Sequence, residues 1–326
     1  MAEYINIRGQ NIEVVASDPA NPTLGQIWYN STSNTLKGGG VTTAASWASG
    51  GVMPTVIRRN TGAGTQTAAI SFGGFVEPPY TNATYLYNGA TWSTGNPMSV
   101  ARSATQQGAQ NATQTTALCY GGGNPGAPTA PTAVEAYDGT SWTAGTNLPS
   151  GRNEASGTGT QTALLSAGGN SPETTDGLEY DGTTWTTGGS LSTARRGLAG
   201  GGLQTAAVVF GGSDGAPTAA TEEYNGTSWT TSGSLNTARG DLNGVGIQTA
   251  ALAFGGYAGA PTGATENYNG ATWSNSPASL GTARTNMAGA GTQSLALGAG
   301  GGPPNISNTE EFINVGAPTT VTITAS

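Results

Sequence analysis

The feature that most constrains the fold of this chain is a sequence unit that recurs along it. The segment Phe210–Gly240, FGGSDGAPTAATEEYNGTSWTTSGSLNTARG, is almost repeated as Phe254–Thr285, FGGYAGAPTGATENYNGATWSNSPASLGTART. The 326 residues are 35% hydrophobic and 9% charged, with 54 glycines, and this composition approaches that of disordered segments. Apolar clusters such as Thr205–Phe210 nevertheless stand at fixed distances from Gly-Gly pairs and tryptophans, which a solvated coil has no reason to maintain. We therefore expect a globular fold.

Each copy of the unit carries an Arg, a turn similar to Thr-Gln-Thr-Ala, an apolar strand ending in Gly-Gly, a Tyr-Asn-Gly or Tyr-Asp-Gly turn, and a Trp. Asn-Gly and Asp-Gly favour tight hairpin turns because these residues tolerate positive φ. The unit is thus predicted to form four short strands. The arginines are spaced by 44, 50, 43, 44 and 45 residues, the length of one four-stranded propeller blade. They are Arg58, Arg102, Arg152, Arg195, Arg239 and Arg284.

The tryptophans indicate how six copies would close into a ring. The sixth copy has no Trp after Phe312, whereas Trp47 precedes Arg58 by 11 residues, the spacing expected for a fourth strand. The sequence therefore predicts an all-β, six-bladed β-propeller whose last blade is closed by an N-terminal strand. The C-terminal TTVTITAS alternates β-branched residues, and it either adds an edge strand or competes for the closing position.

The order of Arg, an apolar run into Gly-Gly, a Tyr and then a Trp resembles the kelch repeat of β-propellers. The resemblance covers roughly residues 41–326 and implies a kelch-like propeller domain over that range. The copies depart from the common kelch pattern in their high content of Gly, Ala and Thr. This departure predicts inner strands that pack through small side chains.

The segment Gly25–Gly39, GQIWYNSTSNTLKGG, is predicted to form an exposed hairpin, because a polar turn separates two apolar runs. It resembles short hairpins found in fibres and other structural proteins of tailed bacteriophages. The resemblance implies that residues 1–40 form a virion attachment segment, with Trp28 and Tyr29 as candidate contacts and Asp18–Thr23 as a stiff connector. The alternative interpretation is an ordinary capping hairpin.

The residue inventory excludes several kinds of active site. With no histidine and only Cys119, neither Ser-His-Asp nor Cys-His nucleophilic sites nor the usual zinc and copper sites can form. We expect no cofactor and no metal, and a buried, inert Cys119 thiol. Glu154 and Asp241, each two residues after a repeat Arg, are a candidate carboxylate pair for glycoside cleavage. Their blades are not adjacent, which disfavours catalysis, and we predict a protein that is not an enzyme.

Charge and hydropathy limit the partners. The net charge is −8 with ten Lys plus Arg, so no basic stripe is available to neutralise a nucleic acid backbone. No stretch approaches the roughly 18 apolar residues of a membrane span, and the N-terminus lacks the pattern of a secretory signal. We predict neither nucleic acid binding nor membrane insertion, and synthesis in a host cytoplasm.

The repeated Arg has two interpretations. Six arginines at one blade position could form an anion-binding ring at the mouth of a channel. Alternatively, each pairs with a Glu that stands two residues before the blade Tyr or Phe, and this pairing is favoured because both residues recur at fixed positions. These are Glu135, Glu222, Glu266 and Glu310. The tryptophans and tyrosines are likewise interpreted as packing between blades.

The loops that join the second and third strands differ between copies, whereas the Thr-Gln-Thr-Ala and Tyr-Asn-Gly turns of the opposite face hardly change. Variable loops on a uniform scaffold are typical of a binding surface, and neutral drift is the alternative. The candidate ligand-binding residues are Tyr80, Asn82, Asn124, Asn170, Glu173, Asp214, Tyr257 and Asn305.

These observations predict a non-enzymatic phage virion protein, located in a fibre, tail or capsid appendage. Its propeller is predicted to bind a host-surface ligand, a glycan or a protein, while the N-terminal segment contacts other virion proteins. Two alternatives remain open: a purely structural decoration or assembly protein of the virion, and an interaction module of a bacterial surface.

Overall fold

The structure is a computed structural model that describes residues 12–19, 26–42, 45–77, 79–103, 108–123, 131–170, 172–314 and 317–322. Every regular element in these ranges is a β-strand. The chain divides into two compact units, which we call the first unit (Met1–Ala45 with Asn314–Ser326) and the second unit (Ser46–Ile313). The C-terminal residues thus group with the N-terminal segment, whereas the sequence had assigned residues 41–326 to one domain.

The early strands are β1 (Glu13–Val15), β2 (Ile27–Asn30), β3 (Thr35–Thr42), β4 (Ser46–Ser49), β5 (Thr61–Thr65), β6 (Ala68–Phe72), β7 (Thr84–Tyr87), β8 (Trp92–Gly95), β9 (Leu118–Tyr120), β10 (Val134–Tyr137) and β11 (Trp142–Ala144). The middle strands are β12 (Ser156–Thr160), β13 (Ala163–Ala167), β14 (Gly177–Tyr180), β15 (Trp185–Gly188), β16 (Ala199–Leu203), β17 (Ala206–Phe210), β18 (Thr221–Tyr224) and β19 (Trp229–Ser232). The last strands are β20 (Asn243–Ile247), β21 (Ala250–Phe254), β22 (Thr265–Tyr268), β23 (Trp273–Asn275), β24 (Ala288–Gly291), β25 (Leu295–Ala299), β26 (Thr309–Ile313) and β27 (Ala317–Thr322).

The described residues of the first unit form one four-stranded sheet in the order β1-β2-β3-β27. Strands β2 and β3 form the antiparallel hairpin that the sequence predicted, with Asn30 opposite Thr35 beside the turn. The C-terminal strand β27 pairs with β3, which answers the question that the sequence left open about this segment.

Trp28 is fully buried, so the prediction of an exposed hairpin was wrong at this residue. The Asp18 carboxylate accepts hydrogen bonds from Trp28 Nε1 at 3.0 Å and from Asn30 Nδ2 at 2.7 Å. The amide and indole donors hold the pKa of Asp18 below its ordinary value. Trp28 therefore holds the local structure together instead of presenting a free aromatic surface.

The described residues of the second unit form six antiparallel sheets, numbered here in chain order. Sheet 1 is β5–β8, sheet 2 is β9–β11, sheet 3 is β12–β15, sheet 4 is β16–β19 and sheet 5 is β20–β23. Sheet 6 combines β24, β25 and β26 with β4, whose Trp47 lies opposite Phe312. The last sheet is therefore built from both ends of the second unit.

The tight turns form where Asn-Gly and Asp-Gly predicted them. In sheet 4, Asn225 Oδ1 accepts hydrogen bonds from the backbone N–H groups of Thr227 and Ser228 at 3.0 and 2.9 Å. Gly226 has a φ of 89°, a conformation that a side chain would strain. Local turn chemistry thus fixes the register of Tyr224 opposite Trp229.

A glutamine before the second strand links each sheet to the preceding one. Gln204 Nε2 donates to the backbone oxygens of Leu164 and Tyr180 in sheet 3, at 3.0 and 2.9 Å. Gln66 of sheet 1 makes the same two contacts with sheet 6, through the oxygens of Ala296 and Phe312 at 3.0 and 2.7 Å. The other glutamines with this pair of contacts are Gln114, Gln161, Gln248 and Gln293.

The first strands of neighbouring sheets approach each other closely. A Cβ atom at Gly62 in sheet 1 would lie 2.8 Å from the backbone oxygen of Gly289 in sheet 6, and one at Gly201 would lie 3.0 Å from that of Gly246. Any larger residue would force these backbones apart. The predicted packing through small side chains is confirmed.

Large aromatic side chains fill the space between neighbouring sheets. The ring of Trp142 in sheet 2 packs on Phe72 of sheet 1 at 4.8 Å, and Trp273 in sheet 5 packs on Phe210 of sheet 4 at 4.6 Å. Trp92 of sheet 1 donates its Nε1–H to Thr309 Oγ1 of sheet 6 at 2.8 Å. These residues therefore pack between neighbouring sheets, as the sequence predicted for neighbouring copies of the repeat.

Candidate functional site

The repeated arginines are buried in ion pairs with the predicted glutamates. Arg195 Nη2 lies 2.9 Å from Glu222 Oε1, and the two side chains are 1% and 3% exposed. The equivalent pairs are Arg102–Glu135 at 2.6 Å, Arg239–Glu266 at 3.1 Å and Arg284–Glu310 at 2.5 Å. The structural interpretation is confirmed for these four sheets, and an open ring of six cationic groups is excluded.

In sheet 1 the position of the repeated Arg belongs to Ile57, so its assignment to Arg58 was wrong. The backbone oxygen of Ile57 accepts a hydrogen bond from Gly301 N at 2.7 Å, as that of Arg284 does from Gly256 N at 2.9 Å. The Arg58 guanidinium instead lies over the Phe75 ring, 5.2 Å from its centroid.

The second oxygen of each glutamate accepts a backbone N–H from the loop before its sheet. Glu222 Oε2 accepts from Ser192 N at 2.9 Å, and the same contact uses Ser99 for Glu135, Asn236 for Glu266 and Gly281 for Glu310. Sheets 1 and 3 lack the glutamate and carry Tyr85 and Leu178 there. In both, the loop residue is a proline, Pro54 or Pro149, which has no N–H to donate.

Sheet 3 keeps the arginine although its glutamate position holds Leu178. Arg152 is 2% exposed and donates from Nη1 to the Asp176 backbone oxygen at 2.9 Å. Its Nη2 lies 3.8 Å from Asp176 Oδ2, and that side chain is 58% exposed. Arg152 lines a cavity of about 270 Å³, which we call the Arg152 cavity. Its lining is Ser150, Gly151, Arg152, Asn170, Pro172, Glu173, Thr174 and Asp176.

Residues two positions after the repeated arginines form a chain of backbone hydrogen bonds that passes from sheet to sheet. Gly197 N donates to Glu154 O at 2.9 Å, Asp241 N to Gly197 O at 2.8 Å and Asn286 N to Asp241 O at 2.9 Å. Arg59 N then donates to Asn286 O at 2.7 Å. The φ angles of Arg59, Glu154, Asp241 and Asn286 lie between 51° and 55°, an uncommon conformation for residues with a side chain.

This chain brings Glu154 and Asp241 into one electrostatic neighbourhood, although they belong to sheets 3 and 5. A Cβ atom added at Gly197 would lie only 2.7 Å from Asp241 Oδ1, so the Asp241 carboxylate packs directly against this glycine. Burial and the charge of Glu154 raise the pKa of the Asp241 carboxyl, and the charges of Arg59 and Arg196 oppose this shift.

Arg196 forms ion pairs with Glu173, in the loop between β13 and β14, and with Glu154; we call Glu154, Arg196 and Asp241 the Arg196 cluster. Arg196 Nη1 lies 3.0 Å from Glu154 Oε2 and its Nε lies 2.9 Å from Glu173 Oε1. Hydrogen bonds to both carboxylates raise the pKa of Arg196, so it stays fully charged. Beside it is a second cavity of about 240 Å³, the Tyr257 cavity. Its lining is Glu154, Arg196, Ser213, Gly215, Pro217, Gly240, Asp241 and Tyr257.

Three of the predicted binding residues meet at these cavities. Tyr257, which is 43% exposed, lines the Tyr257 cavity, while Asn170 and Glu173 line the Arg152 cavity. Asp214 is exposed in the loop that follows β17, between Ser213 and Gly215, which both line the Tyr257 cavity. Asn124 lies outside the described residues.

The other candidates make contacts of their own loops. The Tyr80 ring packs on Phe75 at 5.3 Å, and Asn82 Nδ2 donates to Met98 O at 2.8 Å. Asn305 is half-buried in the loop before β26. The described contacts do not join these three residues to the Arg196 cluster.

Sequence reasoning missed Arg196 as a member of the site and considered Arg152 only as one of six equivalent arginines. Arg196 follows the repeated Arg195 directly, where the other copies have Arg58, Ser103, Asn153, Gly240 or Thr285. An arginine at this position in only two of the six copies was a usable signal. In the first unit, Tyr29 is half-buried and donates its hydroxyl to Asn34 Oδ1 at 3.2 Å, so of the two attachment candidates it alone retains exposed surface.

Cys119 is buried as expected, and burial raises the pKa of its thiol. Across the described ranges, no group of three or more His, Cys, Asp or Glu residues is arranged to hold a metal ion. No helix among the described residues is long and apolar enough to cross a membrane.

Comparison with protein-family models and with curated proteins found no match for the chain.

Proposed function

We propose that the chain is a kelch-like β-propeller protein of a bacteriophage virion that binds a host-surface ligand without catalysing a reaction. The six sheets of the second unit would be six blades of a closed ring. The glutamine contacts support this proposal, because Gln66 links sheet 1 back to sheet 6 in the way that each other glutamine links a sheet to its predecessor. The place of β4 in sheet 6 supports closure by the N-terminal strand.

One observation carries the binding role. Arg196 joins Glu173, at the edge of the Arg152 cavity, to Glu154, at the edge of the Tyr257 cavity. Both cavities lie among the loops that vary between copies. Carboxylates and a guanidinium bind hydroxyl groups through directed hydrogen bonds, and an exposed aromatic ring packs on the apolar face of a sugar. The combination favours a glycan as ligand.

A purely structural role in the virion is the second candidate. Leu203 and Ile247, directly before the glutamines of sheets 4 and 5, are 51% and 50% exposed, and Leu295, two residues after the glutamine of sheet 6, is 39% exposed. The residues directly before the glutamines of sheets 1, 3 and 6 are Thr65, Thr160 and Thr292. Exposed apolar side chains on three consecutive sheets favour contact with another protein on the face opposite the variable loops.

Adsorption of phage particles tests the binding proposal. Tyr257→Ala is expected to reduce adsorption to host cells while the amount of the chain in purified particles, measured by mass spectrometry, stays the same. Thr227→Ala, an exposed change in the uniform turn face, is the matched control and is expected to adsorb normally. Normal adsorption of the Tyr257 variant, combined with loss of the chain from particles of Leu203→Asp, would favour the structural role.

A further inference from the structure

Sheet 2 departs from the other sheets in the segment before its glutamine. Gln114 follows the repeated Arg102 by 12 residues, whereas the glutamines of sheets 3–6 follow their repeated arginines by nine. Where the other sheets have a first strand, the described residues of sheet 2 form a single bridge to β9, between Gly108 and Cys119. Three extra residues thus precede Gln114, and we call residues 108–113 the sheet 2 insert.

The backbone of the sheet 2 insert is fixed to both neighbouring sheets. Asn111 N donates to Gly159 O of sheet 3 at 3.0 Å, and Gly64 N of sheet 1 donates to Ala112 O at 3.0 Å. Because main-chain hydrogen bonds anchor the insert on both sides, the side-chain amide of Gln110 is not required to hold it in place.

Gln110 is a buried residue whose side-chain oxygen lacks a donor. The residue is 5% exposed, and no group among the described residues donates a hydrogen bond to Gln110 Oε1. The glutamines of the repeat turns differ, since Gln204 Nε2 donates to two backbone oxygens of sheet 3 at 3.0 and 2.9 Å. A buried acceptor without a donor costs free energy, which a ligand that supplies the donor recovers. The Gln110 amide is therefore available to a bound molecule.

Two adjoining cavities lie beside the sheet 2 insert. Gln110 lines a cavity of about 400 Å³, the Gln110 cavity, and Asn111 and Gly291 line both this cavity and a second one of about 260 Å³, the Ile247 cavity. The described residues that line them carry neither a charge nor an aromatic ring, and their polar side chains are amides and hydroxyls. Ile247 adds an apolar surface that is 50% exposed. A charged ligand would lose water here without gaining an ion pair, and a sugar ring would find no aromatic ring to stack on.

We propose that the Gln110 and Ile247 cavities bind an uncharged peptide segment of another protein. A peptide N–H supplies the donor that Gln110 Oε1 lacks, and the side-chain amide of Asn111 both donates to and accepts from a second peptide group. An apolar side chain of the segment packs on Ile247. The site lies among the glutamine turns and uses none of the variable loops, so the inference goes beyond the proposed binding of a host ligand and does not depend on it.

NMR titration of the isotope-labelled full-length chain tests the inference, with capped tripeptides as probes. N-acetyl-Ala-Leu-Ala-amide is expected to shift the backbone amide signals of Asn111 and Gly291 in a saturable way. The same peptide with Asp or Lys in place of Leu is expected to bind at least about tenfold more weakly, because its charge loses water without gaining an ion pair. Glucose, an uncharged comparison ligand, is expected to leave these signals unchanged.

Gln110→Leu separates a binding role of this amide from a structural one. The variant is expected to weaken binding of the Leu tripeptide by about fivefold or more, because the acceptor is lost. Its Tm, measured by circular dichroism, is expected to stay the same or rise, because a buried acceptor without a donor is removed. Gln204→Leu is the matched control. It removes two hydrogen bonds to backbone oxygens and is expected to lower the Tm while tripeptide binding stays the same.

A second variant keeps the test decisive if position 110 does not accept Leu. Ile247→Ser changes a side chain that is 50% exposed and is expected to weaken binding of the Leu tripeptide, because the apolar contact is lost. Absence of saturable shifts, equal binding of the charged tripeptides or of glucose, or unchanged affinity of the Ile247 variant would each overturn the inference. A Gln110 variant that melts as low as the Gln204 variant and binds the tripeptide normally would overturn it too, since the amide would then be a structural group.

Discussion

Replacing Glu222 by Leu is predicted to destabilise the second unit strongly, because it leaves the buried charge of Arg195 with backbone oxygens alone. Arg195 Nη1 would keep its contacts with the oxygens of Gly211 and Ala220, both at 2.8 Å. Loss of the partner at 2.9 Å in a pair that is 1% and 3% exposed costs about 3–5 kcal/mol. A domain of this size loses about 2 °C of Tm per kcal/mol, so we expect a fall of about 6–10 °C.

Thermal unfolding followed by circular dichroism at pH 7 measures this loss in the full-length chain. The double variant Arg195→Ile with Glu222→Tyr reproduces the apolar pair of sheet 1, Ile57 and Tyr85, and is expected to lose less than the single variant. A single variant that melts within about 1 °C of the parent chain would refute the reasoning, since the pair would then contribute almost nothing. A double variant that is less stable than the single one would refute it too.

Three further predictions concern the chain of backbone hydrogen bonds and the strands around it. Asp241→Asn should raise the Tm at pH 7, measured by calorimetry. Folding raises the pKa of the Asp241 carboxyl, so the charged carboxylate destabilises the folded state at any pH above the ordinary pKa of 3.8. The gain in Tm should therefore vanish below pH 3.8. A chain starting at Gly50 lacks β4 and should melt lower than one starting at Ala45, and equal melting would argue against its role in sheet 6. Gly62→Ala should lower the Tm more than Gly95→Ala, because the new Cβ atoms would lie 2.8 Å from a backbone oxygen and 3.3 Å from a methyl group; the reverse order would contradict the tight inner packing.

Strands and turns were predictable because their signals are local. The turn at Asn225 and Gly226 depends on an amide oxygen two residues from its donor and on a positive φ, and both follow from the residue types. The hairpin of β2 and β3 was predictable for the same reason. Burial of Trp28 was not predictable in this way, because its indole donates to Asp18, which lies outside the hairpin sequence.

The wrong assignment of Arg58 could have been avoided by comparing the distance from each repeated Arg to its Gly-Gly pair. Four of the arginines stand 16 residues before the first glycine of their Gly-Gly pair, as Arg195 does before Gly211. Arg58 stands 15 residues before Gly73, whereas Ile57 stands 16 before it. The spacing alone therefore places Ile57 at the repeated position, and the neighbouring arginine, Arg58, was chosen because its residue type matched the other copies.

The candidate site was only partly predictable, because it depends on contacts between sheets that are not adjacent in the chain. The variable loops indicated the face and the residues Tyr257, Glu173 and Asn170. The approach of Glu154 and Asp241 depends on a chain of backbone hydrogen bonds through residues with positive φ, which the repeat pattern does not report. Their separation along the sequence therefore suggested separation in space.

Binding of the fluorescently labelled full-length chain to intact host bacteria tests the proposed role most directly. We predict saturable binding that glycan isolated from the host surface abolishes, that Tyr257→Ala weakens and that Thr227→Ala leaves unchanged. Absence of saturable binding, or binding that both variants reduce equally, would contradict a ligand site on the variable loops.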